Sequence, residues 1–527
     1  MSRMNRTSRK NAHDVDMTKC DDVSVFLPLT RTSMARPNSP TKASPWTGPS
    51  SRRRQALCVG LALILVLLLG GAAHPTTRKI GVEYYSAAAG TGSDGNAGSD
   101  TEPKLKLPGP PAFTALRKWE DELPQHNLDL PFPEGKTGRY VKFSNSMNFV
   151  GWNNCLNERL MNLHLAHASR RAFVFSPFLW APEHYPWPAA QHPPGGPRTP
   201  LNALLAGPLA GGPWDPSDPA PRSVSEAWWD IACPREERRI INTQDVKPGL
   251  VGKDGLAIFE HWAKLLGEDV KERCVEIVPP AYEVDSTPQI FDLGLWGTTH
   301  ILDLFPSFLA SPASRLLSAS PIVLSALDRN AYLFLPRGPR PPSGVSRNPY
   351  DRMLAIHLRR GDYLQHCRNL AAWGSTYYSW SLLPSLPDHF DPLPAEDPAR
   401  EEKMLAHCLP TAAQLVKRIT DVKEDYIKAA TAASGKRYLD VLYLLTNEHG
   451  PWLDGVKKEM AGMGWTTIVT TRDLVLDPEQ EEVSMAVDME LARRAAVFVG
   501  NGWSSFTSNI IHQRLADKRD PISIRLT

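Results

Sequence analysis

Apolar positions in the second half of the chain alternate between two patterns. Met353–Leu358 and Tyr438–Leu445 are near-continuous apolar runs, as in strands covered on both faces of a parallel sheet. Shorter runs stand at Thr466–Val469, Ala496–Val499 and Ile522–Arg525. Between them lie stretches of helical spacing: Thr411–Ala433, Trp452–Met463, Ser484–Arg494 and Ser504–Leu515. Strand and helix in regular alternation predict a doubly wound parallel sheet.

The first half repeats the theme less regularly. Tyr140–Phe143 reads as a strand and Asn148–Asn154 as a turn. Leu156, Leu160 and Leu163 mark an amphipathic helix, and Arg171–Ser176 a second strand. Helical spacing returns at Leu256–Leu266 and a strand at Cys274–Val278, while residues 288–337 show no clear period. The expected fold is therefore α/β, with two Rossmann-like domains at 135–345 and 346–527 facing a cleft. Residues 182–221 hold twelve prolines, with Trp187 and Trp214. This is an insertion of the kind that serves as a lid or binding wall.

Ahead of the folded body, residues 56–73 carry no charge and are rich in leucine. At about 1.5 Å per residue they just span a hydrocarbon core of roughly 30 Å. Arg52, Arg53 and Arg54 precede them, so the positive-inside rule places 1–55 in the cytosol as a disordered tail. A cleaved signal peptide would start near residue 1. The expectation is a single-pass type II protein of the Golgi or endoplasmic reticulum membrane, with a stem over 74–134. Gly90–Asp100 in that stem has a flexible-linker composition.

Composition narrows the class. Apolar residues are 42% and charged residues 22% of 527, which excludes a fully disordered or fibrous chain. The net charge of +2 conceals an asymmetry. Residues 1–55 hold eleven Lys and Arg against four Asp and Glu, leaving 48 against 53 for the rest. A mildly acidic body argues against nucleic acid as a partner. Five cysteines follow the apolar span: Cys155, Cys233, Cys274, Cys367 and Cys408. An oxidising lumen allows two bridges and one thiol, with the pairing open. No cysteine spacing resembles a zinc site.

Three stretches carry chemistry. In Ala355-Ile-His-Leu-Arg-Arg-Gly-Asp362 a strand ends in His357, Arg359, Arg360 and Asp362. Arginine suits phosphate because its fork matches two oxygens. A loop ion pair would use the same residues. In Val499-Gly-Asn-Gly-Trp-Ser-Ser-Phe506 a strand enters a glycine turn, and Ser504 and Ser505 open a helix whose free N–H groups favour an anion. An ordinary serine cap reads identically. Gly151-Trp-Asn-Asn154 offers a similar junction, with Asn153 and Asn154 as amides for hydroxyl-bearing ligands. There is no GxxxxGK[ST], and the GxGxxG match at 90–95 lies in the linker-like stem rather than between a strand and a helix, so neither a P-loop nor a dinucleotide fingerprint is present.

Together these segments resemble the three blocks of the protein O-fucosyltransferase superfamily. His357-Leu-Arg359 with Arg360-Gly-Asp362 is similar to its Arg block. Val487 to Thr507, with Asp488, Gly-Asn and Ser-Ser-Phe, resembles its C-terminal block, and Gly151–Asn154 its N-terminal turn. The resemblance implies a GT-B-like, GDP-fucose-dependent glycosyltransferase that needs no cofactor or metal and has a protein or glycan acceptor. It implies Arg359 as the catalytic residue at the leaving phosphate and glycosidic oxygen. It places His357 and Asp488 near the nucleotide, and Ser504, Ser505 and Phe506 around phosphates and base. It places Asn153 near the sugar, with Gly151 and Asn154 as further substrate-binding residues. The carboxylate that some members carry at the N-terminal turn has no counterpart, since Phe149 and Val150 flank it and Glu158 lies a helical turn inside. A non-catalytic, lectin-like relative and a transferase using another nucleotide sugar are the alternative expectations.

Overall fold

The computed structural model describes residues 109–335, 346–361, 363–434 and 438–527. The expected tail, membrane span and most of the stem lie outside these residues, as does Asp362. Among the described residues no helix is long and apolar enough to cross a membrane.

Each half builds one five-stranded parallel sheet. In the first, β1 (Tyr140–Phe143), β2 (Ala172–Phe175), β3 (Val224–Ser225), β4 (Arg238–Asn242) and β5 (Cys274–Val278) run in the order β3-β2-β1-β5-β4. Helix α1 (Trp152–Ala168) joins β1 to β2, and α2 (Gly255–Lys264) precedes β5. In the second, β6 is Met353–Leu358, β7 Val441–Thr446, β8 Thr467–Thr470, β9 Val497–Gly500 and β10 Ile524–Leu526. Their order is β8-β7-β6-β9-β10, all parallel. The connecting helices are α3 (Tyr363–Trp373), α4 (Ala412–Ser434), α5 (Pro451–Gly462), α6 (Pro478–Glu482), α7 (Ser484–Arg494) and α8 (Ser505–Ala516). The first strand of each half is central, so the order reverses there and opens a crevice at the carboxyl ends.

Both faces of the second sheet are covered. Met353, Ala355, Tyr443 and Phe498 join an apolar cluster that runs on into Val141, Leu160 and Phe308 of the first half. Leu354, Ile356, Leu442 and Val499 pack on the other side against Leu415, Ile419 and Val456 of α4 and α5. This two-sided burial explains why the pattern of β6 and β7 was continuous rather than alternating.

Three readings change. The leucines of α1 mark no amphipathic face: Asn153, Asn157, Glu158, Arg159, Asn162 and His164 are buried with them, because α1 lies between the two halves. The stem is shorter than 74–134. Residues Thr114–Asp121 form a helix after Phe113, and the Gln125 amide donates to the Gly211 and Ser223 carbonyls 2.9 and 2.8 Å away, so this segment belongs to the first half. The Pro-rich insertion is not structureless. Phe178–Leu179 pairs antiparallel with Arg198–Thr199, and Leu201–Leu204 is a helical turn.

The cysteine count resolves into Cys233–Cys274 and Cys367–Cys408, with Cys155 a buried thiol. Cys233–Cys274 ties the end of the Glu226–Ala232 helix to β5 across a sequence separation of 41. Loop-closure entropy for that length corresponds to about 4 kcal/mol. Cys233→Ser with Cys274→Ser is expected to lower urea stability by that order, and an unchanged midpoint would contradict the bridge.

Candidate functional site

The site is built at the carboxyl ends of β6 and β9. Strand β9 ends at Gly500 and passes through Asn501-Gly502-Trp503 to α8. Both glycines are required by close approach. A Cβ on Gly500 would meet the Thr507 side chain at 2.2 Å, and one on Gly502 the Tyr377 ring at 2.1 Å. Ser504 caps α8 by accepting the Phe506 N–H, at 3.3 Å. The first-turn N–H groups of Ser505 and Thr507 have no acceptor within the helix, which leaves the positive end of the helix dipole facing outward.

His357, near the end of β6, reaches this helix start. Its ring lies 4.6 Å from the Phe506 ring, and Nδ1 stands 3.3 Å from the Thr507 hydroxyl. Desolvation, with the Arg359 charge adding to it, drives the imidazole down to about 3, so it is neutral. Arg359 is two residues on, and its guanidinium carbon stands 5.8 Å from the Tyr363 ring centre. Tyr363 in turn packs on His366, at 4.6 Å. Burial and then the Arg359 charge also hold His366 down, at about 4. A cation, two neutral imidazoles and an electropositive helix start therefore share one end of the sheet.

The second arginine of the pair does something else. Arg360 donates to the Pro410 carbonyl at 2.7 Å and to Glu448 at 3.3 Å, and it lies 3.8 Å over the Trp452 ring. It anchors α5 and the chain entering α4. The predicted cation cluster thus splits, with Gly361 in the left-handed region at φ 73° turning the chain between β6 and α3.

The Gly151 turn meets α8 from the other half. Gly151 caps α1, and Asn153 and Asn154 lie inside its first turn rather than in a loop. The Asn509 amide of α8 donates to both the backbone carbonyl and the side-chain oxygen of Asn153, at 3.0 and 3.1 Å, and to the Ser505 carbonyl at 3.1 Å. Asn153 is therefore committed to the joint between the halves, and nothing in the sequence marked Asn509 as its partner. A Cβ on Gly151 would meet no atom within 4 Å, so the turn is open on that side. Asn154 is half-buried, and its N–H donates to the Gly151 carbonyl at 3.0 Å.

Asp488, on α7, is held away from this group. It accepts from the Tyr443 hydroxyl and, at 2.9 Å, from the Thr471 hydroxyl. Burial raises its carboxyl to about 6 against those two donors. Glu158 lies behind the Gly151 turn. It is 1% exposed and accepts the Met147 N–H at 2.6 Å, while the Cys155 thiol donates to the Met147 carbonyl at 3.4 Å. Burial pushes Glu158 up to about 7, opposed by the Met147 N–H and Arg159. It pins the turn and does not face the crevice. Among the described residues no three His, Cys, Asp or Glu side chains converge as a metal site would need.

No family model matches the chain, and no curated protein does. Among solved structures it is similar to POFUT1 in complex with GDP, with 14% identity, 71% of this chain and 94% of that chain covered, and a TM-score of 0.38. NodZ alpha-1,6-fucosyltransferase co-crystallised with GDP shows 11% identity over 72% of this chain and 92% of that one, with a TM-score of 0.30. A mutant of Arabidopsis thaliana FUT1 in complex with GDP shows 12% identity, coverage of 77% and 74%, and a TM-score of 0.29. All three likenesses are weak.

Proposed function

We propose that this chain is a glycosyltransferase that moves fucose from GDP-fucose to a hydroxyl of a protein or glycan acceptor. In this reading transfer inverts the sugar, needs no metal, and takes place on the lumenal side of a Golgi or endoplasmic reticulum membrane. One observation supports it above the others. Arg359 and the Ser504–Phe506 helix start both neighbour His357 at the ends of adjacent strands, so they lie at the same end of the second sheet.

The chemistry follows from that pairing. Departure of a nucleoside diphosphate leaves negative charge on the β-phosphate and an oxocarbenium-like sugar. A guanidinium at the departing oxygen and unbonded helix N–H groups at the phosphates stabilise that charge as it grows. Both are in place before the reaction, so little reorganisation is needed. The acceptor hydroxyl would approach from the open side of Gly151. The choice of fucose and guanine rests on the sequence resemblance.

One observation favours a second reading, a nucleotide-sugar binder without transferase activity: Glu158, the carboxylate nearest the Gly151 turn in sequence, is enclosed and hydrogen-bonded. Calorimetric titration of the full chain with GDP, GDP-fucose, UDP and ADP separates the cases. The expected result is binding of GDP and GDP-fucose at least about tenfold tighter than of UDP or ADP, with fucose released over time. Binding without release supports the second reading. A UDP preference overturns the donor, and no binding at all overturns both.

A further inference from the structure

Glu482 ends α6 in the second half and is 1% exposed. Its carboxylate accepts three hydrogen bonds, all from the Pro-rich insertion of the first half. Thr199 Oγ1 donates at 2.6 Å, the Tyr185 hydroxyl at 3.0 Å and the Trp187 indole at 3.1 Å. Among the described residues no lysine or arginine forms an ion pair with it, and burial raises its carboxyl above the usual range despite the three donors and the more distant Arg117 charge. Burying a carboxylate is costly, and three donors meeting at one oxygen pair offset that cost only while the insertion sits against α6.

The contact does not end at the insertion. Thr199, which also accepts from the Trp180 indole at 2.7 Å, pairs with Phe178 in the small hairpin, and Arg198 pairs with Leu179. The Leu179 carbonyl accepts the Phe149 N–H at 3.3 Å. Phe149 is held at φ 59°, a conformation that non-glycine residues adopt only when surroundings enforce it. Two residues on is Gly151, and then Asn153 against Asn509 of α8. A continuous path of hydrogen bonds and strand pairing thus runs from Glu482 to the turn that faces the helix start. The neighbouring seam repeats the tie, with Arg329 to Asp477 at 2.7 Å and the Gln480 amide to Ser325 at 3.3 Å.

We infer that Glu482 is a positioning residue: it clamps the Pro-rich insertion onto the second half and, through Leu179 and Phe149, holds the Gly151–Asn153 turn in place beside α8. Its bearing on sugar transfer rests on the function proposed above, but the mechanical coupling does not.

The test uses the full chain with Glu482→Gln, Tyr185→Phe and Glu482→Gln combined with Thr199→Val. Glutamine keeps one acceptor and turns an NH₂ toward donors, whereas Tyr185→Phe removes a single donor and disturbs packing little. Amide hydrogen exchange is read over 147–153 and 178–199. Glu482→Gln should speed exchange about tenfold or more in both segments, and Tyr185→Phe by less. The double variant should add little over 147–153, because both changes break one path. GDP affinity should stay within about threefold, while the rate of donor breakdown falls at unchanged KM. Faster exchange in 178–199 with 147–153 unchanged overturns the coupling. So does a uniform rise across the chain that Tyr185→Phe does not reproduce locally. If wild-type protein binds no GDP, the function fails, yet the exchange result still decides the clamp.

Discussion

Arg359→Ala should lower the rate of sugar transfer by about 10²–10³-fold, the loss seen when one preorganised group facing developing charge is removed. The expectation follows from position. Arg359 leaves the end of β6 beside His357 and Tyr363, and Arg360 donates to Pro410 and Glu448 over the Trp452 ring. Arg359→Lys should recover little, because a compact ammonium lacks the planar fork that spans a phosphate oxygen and the glycosidic oxygen in fixed geometry. Arg360→Ala should instead reduce thermal stability and leave transfer per folded molecule nearly unchanged. The measurement is single-turnover fucose release from GDP-fucose, with calorimetric GDP affinity alongside. A rate for Arg359→Ala within about threefold of wild type would remove the basis of the proposed mechanism.

Mild acid should weaken the joint between the halves, and two histidines account for the effect. His164 of α1 stacks on Phe259 at 4.4 Å and packs against Phe308 at 5.9 Å, while His512 of α8 packs on Phe308 at 4.6 Å. They are 7% and 0% exposed. His512 shares one hydrogen bond with Ser314, at 2.7 Å, and neither ring nitrogen of His164 has a partner. Desolvation first, then His167 for one and Arg493 for the other, drives both down to about 3 from 6.5. A depressed folded value means that the unfolded chain takes up the proton first. The associated stability is intact above about pH 6.5 and is lost as the pH falls toward 3. At pH 5.5, one unit below the unfolded value, each histidine costs on the order of 1 kcal/mol.

Glu158 and Asp488 act in the opposite sense, since burial raises both and their contribution grows as the pH falls. A comparison of wild type with His164→Phe cancels those terms. Urea stability of the variant relative to wild type should rise by about 1 kcal/mol between pH 7 and pH 5.5. A constant difference would mean that His164 is already solvated.

The hydrogen-bonded core of the second half was legible because its code is local. Two-sided burial wrote β6 as Met353–Leu358, apolar except for His357, and glycine demanded by Thr507 and Tyr377 marked the turn into α8. The Ser504 cap followed from the same few residues. The edge strand β4 is not legible in the sequence because Arg239 and Ile240 are exposed and its pattern has neither period. Helix α3 is not legible either, since its boundary falls on the turn at Gly361.

By itself the sequence determined the alternation of strand and helix, the Arg359 and Ser504–Phe506 groups at strand ends, and a cysteine count that fits two bridges. The tertiary structure alone decided that α1 is buried on every side, that Asn153 is held by Asn509, and that Glu482 receives Tyr185, Trp187 and Thr199. The physical reason is separation. Periodicity records only which side of its own element a residue faces, whereas these partners lie about 280 to 360 positions apart and meet only when the two halves pack together.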